Sequence, residues 1–474
     1  MVFSSIVFLF YFLPAVLVLY YTVLRFSIRL RNFFLLLASI FFYAWGEPYY
    51  VILLIGSCIF NWAVALALSR WEKAGKIWLL IGCVGNLGVL FLFKYLNFVL
   101  SILNGLMGTN LRLSVSLLMP IGISFFTFQA LSYVIDVYRG TAQVQKNLLN
   151  VALYISFFPQ LVAGPIVRYN TVEQQILSRT HSWELFSSGS TRFVQGLAKK
   201  LVLANSFAIV ADNIYSMTNA GHRLMAIPVT LAWLGSFAYT LQIFFDFSAY
   251  SDMAIGLGRM FGFRFEENFS YPYISRSIGE FWRRWHISLG TWFKEYVYIP
   301  LGGSRVESKS KMIQNMLIVW ILTGLWHGAA WNFLFWGLIN FAFLVLERLF
   351  ELEKRESKSV WRHVYALFVV NMGWVLFRCE SFYQLKEYLG NMFWMNHNGF
   401  FSPYTWMFLK EYAVLWGVGI LLCTPAVKQA GMRWCGRYPK QAQALYPLGM
   451  TVLFVISVIY ISKSGYNPFI YFNF

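Results

Sequence analysis

Two histidines in aromatic, glycine-punctuated surroundings are the residues best suited to chemistry in this 474-residue chain. His286 lies within the sequence RRWHIS (283–288), and His327 lies within GLWHG (324–328). An imidazole has an unperturbed pKa near neutral pH, so it can take up or release a proton there. Because an ionisable side chain at bilayer depth is costly to bury, its presence in an apolar chain indicates a functional site. The pattern predicts an enzyme that works inside the membrane.

Each histidine also has a structural interpretation. His327 could be a buried imidazole that hydrogen-bonds a backbone carbonyl at a helix break. Function is favoured there, because glycine lets a substrate approach closely and the tryptophan at 326 excludes water. For His286 a functional and a structural role are equally favoured, since Arg283 and Arg284 are also typical of an interfacial helix whose polar groups reach towards water.

The composition is that of a polytopic membrane protein: 58% of the residues are hydrophobic and only 12% are charged, with a mean hydropathy of +0.57. Lys and Arg number 38 against 20 Asp and Glu, and the surplus lies mostly in short segments of the kind that face the cytoplasm. Such a face attracts anionic lipid headgroups, which are favoured here, or anionic thioester carriers. Five scattered cysteines predict neither a disulfide framework nor a metal site. No cation precedes the first apolar run, so we expect it to be retained.

The apolar stretches predict an all-α membrane protein with one integral membrane domain over 1–474 and about eleven transmembrane helices. The clearest spans are Ser5–Leu24, Pro48–Ser69, Ile77–Phe98, Met225–Phe247, Asn315–Leu346, Trp361–Phe377, Ala413–Thr424 and Tyr446–Ser462. Asn315–Leu346 is long enough for two helices, with a break at its central glycines. Three segments that mix polar and apolar residues are predicted to be re-entrant or interfacial: Met119–Tyr138, Val151–Gly164 and Ser277–Pro300.

Other polar residues within the apolar stretches have structural explanations first. The segment DFSAYSD (246–252) could orient a histidine or pair with a buried cation, and a structural hydrogen-bond network is favoured. Asp136 near Arg139, and Lys94 between aromatic residues, are predicted to be helix-end or interhelical partners. The sequence has neither the dense acidic relay of a proton pump nor the regularly spaced cations of a voltage sensor.

A set of motifs spread over nearly the whole chain resembles the bacterial membrane-bound O-acyltransferases, most of all the alginate and peptidoglycan O-acetylation type. In chain order they are PIGISFFTFQ (120–129), YVIDVYR (133–139), FPQLVAGPIVR (158–168), DFSAYSD (246–252), FWRRWH (281–286), YVYIPLGG (296–303), WHG (326–328), LFR (376–378) and PFIYFNF (468–474). Asn205 departs from this pattern, in which an aspartate is expected.

The resemblance implies a helical core around a central funnel or tunnel, and a catalytic histidine in the Trp-His-Gly motif that corresponds to His327. His286 corresponds to the family's second polar position. We predict that His327 is a general base for an acceptor hydroxyl, and that His286 hydrogen-bonds the thioester carbonyl or positions the pantetheine arm. The predicted substrate-binding residues are Arg283, Arg284, Trp285 and Trp326.

The donor separates the types within the family. The resemblance implies that acetyl-coenzyme A is the donor, that no cofactor is bound permanently, and that the acetyl group passes to an extracytoplasmic serine-hydrolase-like acetyltransferase that modifies a polysaccharide. In the related D-alanine type, a phosphopantetheinylated carrier protein serves teichoic acid. Length and the LFR motif favour the first type. A non-enzymatic transporter or channel is the alternative of another class. The expected location is a bacterial cytoplasmic membrane. Membrane lipids are expected partners, and no nucleic acid is expected to bind.

Overall fold

A computed structural model describes residues 1–110, 118–218, 226–352, 359–463 and 466–470. These residues form helices, and no β-strand occurs among them, which confirms the all-α prediction. They cluster into two compact units, each made of two stretches of chain. Unit 1 comprises 1–193 and 250–267, and unit 2 comprises 194–249 and 268–474. The single domain over 1–474 stays a prediction.

Among the residues of unit 1 that the structure describes, ten helices begin. They are α1 (Leu13–Tyr21), α2 (Ile28–Gly46), α3 (Val51–Arg70), α4 (Gly75–Leu90), α5 (Leu96–Met107), α6 (Ile123–Arg139), α7 (Leu148–Ser156), α8 (Phe158–Leu161), α9 (Tyr169–Leu177) and α10 (Trp183–Ala198). Helices α3 and α4 are joined by a buried amide pair, in which Asn61 and Asn86 each donate to the other over 3.1 and 2.7 Å. Such polar pairs hold helices together where neighbouring side chains are apolar.

Within the described part of unit 2, twelve helices begin. They are α11 (Asn205–Met217), α12 (Val229–Met260), α13 (Ile278–Arg284), α14 (Ile287–Phe293), α15 (Lys309–His327), α16 (Trp331–Leu349), α17 (Val360–Arg378), α18 (Phe382–Met392), α19 (Pro403–Glu411), α20 (Ala413–Leu422), α21 (Ala426–Arg437) and α22 (Pro439–Lys463). Two short π-helical stretches adjoin them: Lys199–Ala204 precedes α11, and Lys294–Tyr298 follows α14.

The break predicted within Asn315–Leu346 lies directly after His327, where α15 ends and three residues lead to α16. Two glycines bring these helices together. A Cβ on Gly324 would lie 2.5 Å from the carbonyl oxygen of Phe333, and a Cβ on Gly337 would overlap the carbonyl oxygen of Trp320. Only glycine allows backbones to approach so closely. The GLWHG sequence therefore ends one helix and packs it against the next.

Seven helical segments among the described residues are long and apolar enough to cross a membrane: Ile28–Gly46, Val51–Arg70, Glu72–Met107, Trp183–Met217, Trp331–Leu349, Val360–Arg378 and Pro439–Lys463. The count becomes eight if α19 and α20, bent by 67°, form one broken span. These segments confirm a multi-pass membrane fold, whereas the predicted count of about eleven is not confirmed. Met225, the predicted start of one span, and the last four residues of PFIYFNF lie outside the described residues.

Candidate functional site

Short helix α13 ends with the two arginines of the RRWHIS sequence and is fixed at its first turn by a carboxylate from α16. Glu347 is buried and accepts hydrogen bonds from the N–H groups of Ile278, at 2.6 Å, and of Gly279, at 2.9 Å. These N–H groups have no partner inside their own helix, so the carboxylate satisfies them and complements the helix dipole. The position of α13, and of the histidine that follows it, is thus tied to α16.

His286 stands at the junction of α13 and α14 in a left-handed backbone conformation, with φ 46° and ψ 52°. Such a conformation is strained for a residue other than glycine and is concentrated at functional sites. The side chain is 2% exposed, and its ring lies 4.5 Å from that of Phe247, edge to face. Nδ1 lies 3.2 Å from Oδ1 of Asn268. Nε2 is buried and has no hydrogen-bond partner among the described residues.

Asn268 is a site residue that the sequence alone did not reveal. It is fully buried, and its Oδ1 also accepts from the backbone N–H of Ser288, at 3.1 Å, and from the Ser288 hydroxyl, at 2.9 Å. Its carbonyl oxygen accepts the N–H of Ile287 at 2.9 Å. One asparagine therefore binds both the imidazole of His286 and the backbone of the two residues that follow it, Ile287 and Ser288. An asparagine in an aromatic loop carries no sequence signal of that role.

The charge state of His286 follows from its burial. It lies outside the seven candidate spans, and burial, followed by the charge of His327, lowers the pKa of His286 well below its ordinary value. Burial disfavours the charged form because the imidazolium loses its hydration. His286 is consequently neutral at pH 7.

His327 is the last residue of α15 and is 5% exposed. Its ring packs edge to face against Trp336 at 5.0 Å and Phe377 at 5.4 Å. The following residue, Gly328, leaves room for the ring of Phe333, which a Cβ there would overlap. The imidazole thus sits in aromatic surroundings that exclude water and strengthen polar interactions.

Trp326 brings the two histidines into one site. Its ring centroid lies 5.8 Å from that of His286 and 5.0 Å from that of His327. The two imidazoles are also close enough for the charge of His327 to act on His286. Two histidines 41 positions apart in sequence therefore share one aromatic-walled site. Closeness of this kind is what joint action on one substrate would need.

The other predicted substrate-binding residues occupy different surroundings. Arg284 pairs with Glu280 at 2.9 Å and donates to the carbonyl oxygen of Ser270 at 3.0 Å, so it braces α13. Trp285 is buried 4.9 Å from Trp374 in the hydrophobic core of unit 2. Arg283 is exposed on α13. Substrate contacts by these residues stay predictions.

The DFSAYSD segment supplies carboxylates to buried or half-buried cations. Asp246 pairs with Lys200 at 2.6 Å, and both side chains are 2% exposed. The same pair holds the end of the chain: Lys200 donates to the carbonyl oxygen of Pro468, and Asp246 accepts the N–H of Ile470 at 2.8 Å. In unit 1, Asp252 pairs with an arginine at position 192 over 2.8 Å. The cation-pairing interpretation of the segment matches these contacts.

Comparisons with known proteins relate this chain to one family. The model of the MBOAT, membrane-bound O-acyltransferase family, matches residues 141–385, which include both histidines. The probable alginate O-acetylase of Pseudomonas putida is 39% identical, with 100% of each chain covered. The peptidoglycan O-acetyltransferase of Helicobacter pylori is 32% identical over 84% of this chain and 80% of the relative. The teichoic acid D-alanyltransferase of Bacillus subtilis is 28% identical over 56% of this chain and 69% of the relative.

The family match, the relative that covers the whole chain and the candidate membrane-spanning helices all indicate a membrane-bound acyltransferase. The paired histidines lie within the region that the family model matches. The chain is a multi-pass membrane acyltransferase and belongs to the membrane-bound O-acyltransferase family.

Proposed function

We propose that this protein transfers an acetyl group from acetyl-coenzyme A for the O-acetylation of a cell-envelope or secreted polysaccharide, in a bacterial cytoplasmic membrane. The observation that carries the proposal is the aromatic-walled pair of buried imidazoles, His286 and His327, around Trp326. Relatives that are named for O-acetylation cover the chain from end to end or nearly so, and support acetyl as the acyl group.

In this mechanism neutral His327 is the general base. It removes the proton of an acceptor hydroxyl as the oxygen attacks the thioester carbonyl carbon, and a tetrahedral intermediate forms. The carbon–sulfur bond then breaks, the acetyl group stays on the acceptor oxygen, and protonated His327 returns the proton to the leaving thiolate. General base catalysis of this kind contributes about 10²- to 10⁴-fold. Water excluded by the rings of Trp336 and Phe377 cannot compete for the thioester.

The donor enters from the cytoplasmic side and the acetyl group leaves on the other. The surplus of basic residues in short loops, part of a net charge of +18, supports a cytoplasmic face that attracts the phosphates of coenzyme A. Arg283, at the end of α13, is the arginine that we place beside the donor, because its side chain is exposed. An extracytoplasmic serine-hydrolase-like acetyltransferase receives the acetyl group and modifies the polymer.

D-alanyl transfer from a phosphopantetheinylated carrier protein towards teichoic acid is the second candidate. A relative named for that activity shares 28% identity over 56% of the chain. The chemistry at His327 would be the same, since the donor is again a thioester, and only the acyl group and the carrier would differ.

The test follows labelled acetyl from acetyl-coenzyme A into membranes and envelope polymers. Cells that express this protein with its neighbouring partner genes are compared with cells that carry an empty vector. We expect label in a polysaccharide only when the protein is present. No label above the vector, with the protein inserted in the membrane, would discard acetyl-coenzyme A as donor. Label from a D-alanyl carrier protein would then support the second candidate, and solute flux without thioester consumption would support a channel.

A further inference from the structure

The imidazole of His286 presents a buried nitrogen, Nε2, at the candidate site. Nε2 of His286 has no hydrogen-bond partner among the described residues, although the side chain is 2% exposed. A buried polar atom without a partner is energetically unfavourable, so such atoms are rare unless a ligand or water completes them. The neighbouring ring of Phe247 offers no conventional hydrogen-bond donor or acceptor, and Trp326 approaches as a ring contact with its centroid 5.8 Å away. The partner of Nε2 is therefore expected to be a bound ligand or water.

Asn268 decides whether that partner must be a donor or an acceptor. The backbone N–H of Ser288 can only donate, and it points at one atom of the Asn268 amide over 3.1 Å, so that atom is the oxygen. The same oxygen lies 3.2 Å from Nδ1 of His286. An oxygen facing Nδ1 requires that Nδ1 carries the proton. In a neutral imidazole, Nε2 then presents a lone pair.

We propose that Asn268 is a positioning residue that holds His286 as a hydrogen-bond acceptor, so that Nε2 receives an N–H or O–H group of the bound substrate. The substrate role of this nitrogen rests on the proposed acyl transfer, whereas the tautomer does not. Of the two roles expected from the sequence, the assignment is incompatible with donation to the thioester carbonyl oxygen and compatible with positioning of the pantetheine arm. Two groups present the required donor: an amide N–H of the pantetheine arm and the hydroxyl of the acceptor.

The charges around His286 leave the choice of tautomer to Asn268. Among the described residues, the ionisable group that acts on His286 is His327, at the end of α15. From α12, Asp246 precedes Phe247 in sequence but is paired with Lys200. On α13, Arg284 is paired with Glu280. The neutral amide oxygen thus fixes the proton on Nδ1 without introducing a charge.

The first test reads the tautomer directly and does not depend on transfer activity. The chain contains six histidines, and ¹⁵N-histidine labelling with solid-state NMR separates neutral Nδ1–H, neutral Nε2–H and imidazolium forms. His286→Gln identifies the signal of His286 by its loss. We expect the neutral Nδ1–H form at pH 7. A neutral Nε2–H form or an imidazolium at pH 7 would overturn the proposal, whatever the donor of the reaction.

The second test uses Asn268→Asp, which keeps an acceptor oxygen for Ser288 and for Nδ1 but adds a negative charge that favours imidazolium. If Nε2 must accept, the acid limb of the pH profile for thiol release from acetyl-coenzyme A moves to higher pH. Activity at pH 6 then falls by about tenfold for each pH unit of movement and recovers at alkaline pH. An unchanged profile, or higher activity at pH 6, would overturn the proposal.

A matched control separates this effect from a general cost of burying a carboxylate. Asn371→Asp replaces another buried asparagine of unit 2, which is bonded to Ser236 and Thr240 and not to a histidine. Its pH profile is expected to match the wild type. His286→Gln then distinguishes the two donor groups: a raised KM for acetyl-coenzyme A indicates the pantetheine amide, and a lowered kcat with unchanged KM indicates the acceptor hydroxyl.

Discussion

Gly324→Ala perturbs the contact that places the aromatic wall beside His327. Gly324 lies one turn before His327 on α15, where a Cβ would come within 2.5 Å of the carbonyl oxygen of Phe333 and 3.3 Å of the Cα of Leu334. Both atoms belong to the backbone of α16. They cannot rotate away as a flexible side chain would, so the helices themselves must separate.

The size of the effect follows from that overlap. Ordinary contact begins near 3.4 Å, so α16 has to move by about 0.9 Å to accept the methyl group. Overpacking of this kind lowers the free energy of unfolding by about 1–3 kcal/mol. The same movement carries Trp336 away from His327, whose rings now lie 5.0 Å apart. Because a misplacement of about 1 Å costs about 100-fold in rate, the activity should fall by roughly that factor.

The assay compares thiol release from acetyl-coenzyme A in inverted membrane vesicles with thermal unfolding of the purified protein in detergent. Gly417→Ala is the matched control, because a Cβ at that helical position meets nothing within 4 Å. Both substitutions gain the same helix propensity, so their difference isolates the steric effect. Equal stability and equal activity in the two variants would refute the reasoning.

Three further substitutions test other parts of the structure. Glu347→Gln leaves one acceptor oxygen for the two N–H groups at the start of α13, and should lower the free energy of unfolding by about 1.5–3 kcal/mol in detergent. Lys200→Met leaves Asp246 buried without its cation, which should cost about 3–5 kcal/mol, and adding Asp246→Leu should recover most of that loss. Burial, followed by nearby arginine charges, lowers the pKa of His181 from 6.5 to about 4. The unfolded chain therefore binds its proton first, stability is lost as pH falls from 6.5 towards 4, and His181→Gln should make that decline shallower.

Each of these predictions has a result that contradicts it. An unfolding temperature of Glu347→Gln equal to that of the wild type would mean that the carboxylate does not hold α13. A double variant at Lys200 and Asp246 that is no more stable than Lys200→Met would show that the loss comes from the lysine's packing. An unchanged slope of stability against pH in His181→Gln would remove the protonation argument.

Local patterns in the sequence foretold the features that depend on nearby residues. The glycines of GLWHG predicted the helix break, and α15 does end at His327. Apolar length predicted a multi-pass helical fold. The predicted count of about eleven spans is not confirmed, and α12 and α15, which overlap predicted spans, are not among the seven candidate segments of the described residues. Hydropathy does not separate a buried helix from one that crosses the membrane.

Features that depend on distant partners could not be foretold. Trp285 carries the same aromatic signal as Trp326, yet it packs in the core while Trp326 lies between the histidines. Asn268 precedes His286 by 18 residues in a loop, and nothing in its sequence surroundings marks it. For Asp246 the sequence favoured a structural hydrogen-bond network over orienting a histidine or pairing with a buried cation, and only the fold brings it to Lys200.

The measurement that tests the central claim most directly is acetyl transfer from acetyl-coenzyme A by His327→Asn and His397→Asn at matched protein levels. Asparagine is polar and planar but cannot act as a base, and it tolerates the positive φ of 51° at His397, an exposed residue outside the site. We expect His327→Asn to lose about 10²- to 10⁴-fold in turnover with unchanged thermal unfolding, and His397→Asn to match the wild type. Turnover by His327→Asn near that of the wild type would contradict the assignment of His327 as the general base.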